Sequence, residues 1–439
     1  MLLIRNGTLI NPGLSQEGSY DILTAGGRIL AIRPELDGEL ALRLARAEGL
    51  PPEDLEVLDA RGLYVLPGLI DTHAHFRDPG FTYKEDLFSG AAAAARGGYT
   101  TVILMANTKP AVDTAERLRA IQERAASAPI RLLQAANVTR DMAGRELADL
   151  PALAEAGAPC FTDDGLPVMD PDILRAALRA ASPLGLPVSL HEEDPALIAQ
   201  NGIHGGGRAA AHYGIGGSPR EAEYTMIRRD LAIAVEEKAR LVIQHISTKE
   251  GVEAVRQARK VNPLIHAEAT PHHFSLTEEA VIEKGTLAKV NPPIRTEEDR
   301  MAIIEGMKDG TIDIIATDHA PHASYEKERP LTQAPSGMIG LETALSLAYR
   351  NLVLPGHLTL MEMTALFTSN PAAYYHLEGG VIREGAPADF CLFSPDSQWK
   401  VPETFASRSS NSPFIGEVLP GLVAFTICGG KVVCRAEAH

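Results

Sequence analysis

The chain has 439 residues, of which 45% are hydrophobic and 22% charged. That composition is globular, with apolar side chains enough for a core, and it excludes a disordered or fibrous chain. Lys and Arg total 41 against 57 Asp and Glu, a formal charge of −16, so the basic face of a nucleic-acid binder is not expected.

At ~100–200 residues per domain the length allows two or three domains, or one large barrel with an attachment. The opening MLLIRNGTLINPG has no basic stretch followed by a long apolar run, so no signal peptide is expected. No run approaches the ~18 apolar residues of a membrane span. Cys160, Cys391, Cys428 and Cys434 form no C-x-x-C pair, which fits reduced thiols in a cytoplasmic protein.

The first 65 residues read as short β-type runs broken by Gly and Asn: LLIRNGTLI, YDILTAGGRILAI and LEVLDARGLYVL. Residues 39–55 have the apolar spacing of a helical insertion. The C-terminal ADFCLFSP and VLPGLVAFTICGGKVV return to the β style. Residues 1–65 and 377–439 are therefore expected to form one small β-sandwich domain built from both termini.

Between them, residues 66–376 alternate strand and helix candidates. The strands are VLPGLID, TTVILM, IRLLQAA, APCFTD, LPVSL, ARLVIQH, LIHAEA and IDIIAT. Helical stretches such as KEDLFSGAAAAAR, PDILRAALRAA and KEGVEAVRQARK separate them. Eight such units predict an α/β fold, a (β/α)8 TIM-type barrel. A doubly wound sheet would want a glycine-rich loop after the first strand, and none is present.

In such barrels the chemistry sits at the C-terminal ends of the strands. Here THAHFR follows the first strand, ANT the second, DDG the fourth, HEED the fifth, HIS the sixth and TDHAPH the eighth. Six polar endings on separate strands point to one convergent site. His73 and His75 share one side of a strand, as a pincer for a metal ion requires. Asp71 has the same parity and reads as a supporting carboxylate. His191 and His245 end adjacent strands and suit a second metal. Asp318 can bind a metal and take a proton from its water. Asp163 and Asp164 offer a bridging carboxylate.

Together DTHAHFRDPG, MANTKP, FTDDG, HISTKE, VNPPIR and ATDHAPH resemble the dihydroorotases of the amidohydrolase superfamily, in the bacterial type I branch. The resemblance covers nearly the whole chain. It implies a first zinc on His73, His75 and Asp318 and a second on His191 and His245. Many relatives bridge the metals with a carboxylated lysine, but APCFTDDGLPV contains none. The resemblance assigns the bridge to Asp164 and leaves Asp163 as a loop carboxylate. It places Arg77, Asn107, Asn291, His322 and the Ser336–Gly337 step on the substrate, with His75 beside them. Ser336 departs from the Phe that the family more often carries at that step.

The implied reaction interconverts N-carbamoyl-L-aspartate and (S)-dihydroorotate in pyrimidine biosynthesis. Zinc lowers the pKa of bound water to about 7. Asp318 collects the proton and returns it to the leaving nitrogen. Two zinc ions per subunit are expected, or one where an aspartate bridge holds the second weakly. A homo-oligomer and association with aspartate transcarbamoylase are further implied. The competing readings are a hydantoinase or allantoinase, which usually needs the lysine, and a non-catalytic scaffold, which would have lost ligands that are all present here.

Residues 323–338 form a polar stretch without apolar periodicity, expected as a lid or an ordinary surface loop. His272, His273 and His319 read as supporting groups. His204, His212, His266, His357, His376 and His439 suggest no partner.

Overall fold

The computed structural model describes residues 1–47, 49 and 55–436. Five strands come first: β1 (Leu2–Asn11), β2 (Gln16–Ala25), β3 (Arg28–Arg33), β4 (Glu56–Asp59) and β5 (Tyr64–Pro67). The parallel strands β6 (Leu69–Ala74), β7 (Tyr99–Leu104), β8 (Arg131–Gln134), β9 (Val188–Leu190), β10 (Leu241–Ile243), β11 (Ile265–Ala269) and β12 (Ile314–Ile315) follow. The chain returns to antiparallel pairing in β13 (Phe390–Lys400), β14 (Val418–Cys428) and β15 (Lys431–Arg435).

The seven parallel strands form two arcs, β6-β7-β8 and β9-β10-β11-β12. The expected fourth strand, APCFTD, shrinks to one residue: Phe161 bridges Ala136 on one side and Val188 on the other. Pro159 removes a donor, which disfavours a longer ladder there. The ring is completed where Ala74 bridges His319, just past β12. This is the (β/α)8 barrel.

Helices stand where caps and apolar spacing put them. Asp86 accepts from the N–H groups of Phe88 and Ser89 and starts Leu87–Arg96. Asp170 caps Pro171–Ala181, and Thr248 caps Lys249–Val261. The alanine run of the first of these helices buries Ala91, Ala93, Ala94 and Ala95, whose small side chains permit close packing on the sheets. The helix expected over 39–55 occupies Gly38–Ala47; residues 48 and 50–54 lie outside the described set.

The remaining eight strands make one mixed sheet from both ends of the chain, in the order β15-β14-β13-β5-β1-β2-β3 with β4 beside β1. The N-terminal half of β1 pairs with β4 and its C-terminal half with β5, and against β2 its register shifts between Ile4 and Gly7. Alternation sends Leu2, Ile4 and Ile22 into a core shared with Phe390, Leu392 and Ile427. Leu3 and Leu23 face the other way, onto Ala41 of the first helix. Between β13 and β14, residues 401–417 leave the sheet and run to the barrel mouth.

Asn11 ties the two ends together. Its buried carboxamide donates to the Ile382 carbonyl at 2.7 Å and accepts from the Ile382 N–H at 3.1 Å, across 371 positions of sequence. Asn11→Ala strands one buried donor and one buried acceptor, each costing ~1–3 kcal/mol. We expect urea unfolding to show a loss of about 2–4 kcal/mol. A loss below ~1 kcal/mol would mean that water replaces the carboxamide without penalty.

Candidate active site

β6 carries Asp71 and His73 into the barrel, and His75 follows directly. His73 Nε2 lies 3.5 Å from Asp164 Oδ1 and 3.6 Å from Asp318 Oδ1. His75 Nε2 lies 3.0 Å from Asp318 Oδ1 and 3.3 Å from Asp164 Oδ2. His191 Nδ1 is 3.0 Å from His245 Nε2, and both face Asp164 Oδ1, at 3.8 and 3.6 Å. Asp164 is thus the carboxylate that all four histidines approach. Its oxygens, with the His73 and His245 nitrogens, form one compact donor group; His73, His75 and Asp318 form another.

The donor set fits a metal ion. Imidazole nitrogens and carboxylate oxygens are zinc ligands at about 2.0–2.2 Å, and two such ligands of one tetrahedral ion stand about 3.3 Å apart. Among the described residues His73 Nε2 and His245 Nδ1 are buried without a hydrogen-bond partner, a costly state for a polar atom; for His73 Nε2 an ion would relieve it. Burial opposes ionisation of Asp318 and Asp164. The hydrogen bond from His75, for Asp318, and the charge of His73, for Asp164, outweigh it and hold both well below the usual carboxylate range.

Three of these positions carry left-handed backbone: Arg77 (φ 59°), His245 (φ 30°) and Asp318 (φ 45°). Each costs on the order of 1–3 kcal/mol outside glycine, and such residues gather at functional sites.

Asp163 and Asp164 point apart, as successive residues in extended chain do. Asp163 turns away from the histidines and accepts from the N–H groups of Val138 (2.9 Å) and Thr139 (3.2 Å) and from Asn137 Nδ2 (3.2 Å). It fastens the loop after β8.

Sequence reading missed two buried carboxylates behind the histidines. Glu193 Oε2 lies 3.2 Å from His191 Nε2, and its other oxygen accepts from Ser218 at 2.9 Å. Glu268 Oε2 lies 3.4 Å from His73 Nδ1, and its other oxygen takes the Thr72 hydroxyl. Each carboxylate fixes which ring nitrogen carries the proton and leaves the other free for a ligand role. The HEED motif hinted at Glu193. Glu268 shares the parity of His266 in a strand otherwise read only for its apolar residues. His266 itself, for which no partner was expected, stands 2.6 Å from Asp313; His204 meets Arg295 at 3.1 Å. His439 lies outside the described residues.

Above the histidines opens a cavity of about 180 Å³. Arg77, Asn107, Asn291, His322, Ser336 and Gly337 all line it, together with His75, Asp164, His191, His245 and Asp318. His73 lies beneath. Asn107 Oδ1 accepts from His75 Nδ1 at 3.0 Å, and its Nδ2 donates to the Asp164 carbonyl at 3.1 Å. His322 donates from Nε2 to the Ser336 carbonyl at 2.8 Å while Lys84 Nζ donates to Nδ1 at 3.2 Å. Burial, and then the charges of Arg77, Lys84 and Lys327, hold the His322 ring neutral. Asn291 Oδ1 and Ser336 Oγ are buried without hydrogen-bond partners among the described residues.

The 323–338 stretch is less loose than its sequence suggests. Buried Lys289 donates to the carbonyls of Leu331 (2.8 Å) and Ala334 (2.7 Å). Buried Lys327 donates to those of Pro335 and Gly337, both at 2.9 Å. Burial brings Lys289 down to about 8; burial and the charge of Lys289 bring Lys327 down to about 7. Gly337 has φ +133°, and a Cβ there would stand 3.0 Å from His322 Nε2.

Residues 64–433 match the amidohydrolase family model. The chain belongs to the amidohydrolase family. A curated dihydroorotase of Clostridium acetobutylicum is 50% identical over 434 residues, with 99% of both chains covered. One of Lactococcus lactis is 46% identical over 436 residues, covering 99% of this chain and all of that one. Among solved structures, an L-hydantoinase (dihydropyrimidinase) from Arthrobacter aurescens superposes with a TM-score of 0.86 at 25% identity, covering 99% and 96% of the two chains. A dihydropyrimidinase from Brevibacillus agri gives a TM-score of 0.83 at 24% identity and shares the fold. No helix among the described residues is long and apolar enough to cross a membrane.

The two hidden carboxylates can be tested through metal affinity. Glu193→Gln and Glu268→Gln keep their volume but lose the charge that orients His191 and His73. We expect about 10–100-fold weaker metal binding in competition with a chelator. Unchanged affinity in both variants would reduce them to packing groups.

Proposed function

We propose that the chain is a dihydroorotase that interconverts (S)-dihydroorotate plus water and N-carbamoyl-L-aspartate in pyrimidine biosynthesis. The observation that carries the reading is the central carboxylate of Asp164, set among four histidines where many relatives of the superfamily carry a carboxylated lysine. Full-length identity to curated dihydroorotases supports it. No lysine lines the cavity, which weighs against a hydantoinase.

We infer that His73, His75 and Asp318 would hold one zinc ion and His191 and His245 a second, with the Asp164 carboxylate placed to serve both. When bound, the metal acidifies water and polarises the scissile carbonyl. The chain supplies the rest. Asp318 takes the proton released as water adds to the ring amide and delivers it to the departing nitrogen; ring closure runs the same path backwards. Arg77, whose planar fork suits a carboxylate, and neutral His322 with Asn107 and Asn291 orient the anionic substrate. Arg77 supplies the local cation that a chain of charge −16 needs in order to attract an anion. Gly337 leaves room beside His322, and the free Ser336 hydroxyl is a spare contact.

We further propose that residues 1–65 with 377–439 form one structural unit and 66–376 the catalytic one. A cytoplasmic homo-oligomer, associating with aspartate transcarbamoylase, completes the proposal; size-exclusion chromatography of the two purified proteins, alone and mixed, tests it.

The purified protein is expected to turn over dihydroorotate in both directions and to leave hydantoin untouched. Asp318→Asn should lower kcat by ~10²–10⁴ with metal content retained; near-normal kcat would remove Asp318 from proton transfer. Asp164→Ala should lose the second metal and nearly all activity, whereas Asp163→Ala keeps its metal and loses stability. The reverse result would shift the bridge by one residue. Added bicarbonate should change nothing, because no carbamate forms; stimulation by it would point to a lysine bridge.

A further inference from the structure

The wall that carries His322 and Gly337 is gripped by a residue from the other end of the chain. Asn411 sits in the 401–417 excursion between β13 and β14 and is 3% exposed. Its Oδ1 accepts from the backbone N–H of His322 at 3.0 Å. Its Nδ2 donates to the carbonyls of Ala320 and Gly337, each at 3.1 Å. Its own carbonyl accepts from the Ile339 N–H at 3.1 Å. One carboxamide therefore spans two separate stretches of the cavity lining, 320–322 and 337, with both N–H donors and its oxygen engaged.

The excursion is placed firmly enough to act as such a clamp. The Arg408 N–H donates to Glu85 Oε1 at 3.1 Å, and the Ser407 hydroxyl takes the other Glu85 oxygen. The Ser407 N–H donates to Glu342 at 3.1 Å, and Ser409 donates to the Lys84 carbonyl at 2.7 Å. Phe414 is buried against Met338 and Leu347 in a local core. Lys84 in turn holds the His322 ring at Nδ1. The excursion thus reaches His322 twice, through its backbone and through its ring.

We propose that Asn411 is a positioning residue for substrate binding, which fixes His322 and the Ser336–Gly337 step against the substrate's anionic end. The inference rests on the dihydroorotase reading and deepens it. Asn411 touches neither the metal-ligand histidines nor Asp318, so it should act on affinity rather than on the chemical step.

The test is steady-state kinetics with dihydroorotate on Asn411→Ala, His322→Ala and the double variant, with metal content and thermal melting measured on each sample. Asn411→Ala should raise KM roughly 10–100-fold while changing kcat less than about threefold, with metal content as in the wild type. In the His322→Ala background it should add less than about twofold to KM, because its effect passes through the same wall. Asn411→Asp is isosteric and serves if Asn411→Ala does not fold. It keeps the acceptor for the His322 N–H but turns a carboxylate toward two carbonyls, and it should also raise KM. Wild-type KM in either folded variant, or full additivity with His322→Ala, overturns the proposal. An inert wild-type protein overturns the dihydroorotase reading instead, and this inference with it.

Discussion

The barrel closes on a carboxylate. Asp71, fully buried on the first strand, accepts from the Thr317 N–H at 3.0 Å and from the Thr317 hydroxyl, just past the last strand, and from the His73 N–H at 3.1 Å. A buried carboxyl is tolerable only when such donors surround it; here burial still outweighs them and pushes Asp71 up to about 7. The His75 N–H then meets the His319 carbonyl at 2.8 Å. These bonds fix the axial register of the first strand against the last. His73, His75 and Asp318 belong to those two strand ends, so their convergence follows from how the ring is sealed.

Much of this was legible in the chain. The strand-then-polar pattern announced a barrel with its chemistry at one mouth, and every expected site residue lies on or just beneath one cavity. Where the reading fell short, the cause is physical. Apolar runs report burial and not ladder length, so the fourth strand could not be seen to shrink to Phe161. Periodicity is silent on polar residues that turn inward: Glu268 and Lys289 occupy positions that composition alone assigns to solvent. The 323–338 stretch lacked an apolar signal because lysine amines bonded to main-chain carbonyls hold it. Asn411 had no local signal at all, since its partners are distant in sequence.

The electrostatics of the cavity run against those of the whole molecule. The chain carries a net charge of −16, yet Arg77, Lys84 and Lys327 cluster around His322. Asp164 and Asp318 stand a few ångströms away among the histidines. On the His322 wall Lys84 is paired with Glu326 at 3.0 Å, which leaves Arg77 as the cation lining the cavity.

The sheet built from both termini has a consequence for biosynthesis. β1 needs Ile382 and the strands beyond it before its core is complete, across 371 residues. At the usual 5–20 residues per second, a nascent chain carries the unfinished N-terminal strands for roughly 20–70 s before their partners leave the ribosome. During that interval the edge later covered by β13 has open backbone groups and apolar side chains, the features that recruit other strands. The N-terminal strands can therefore complete their core only after Ile382 and β13 have been made.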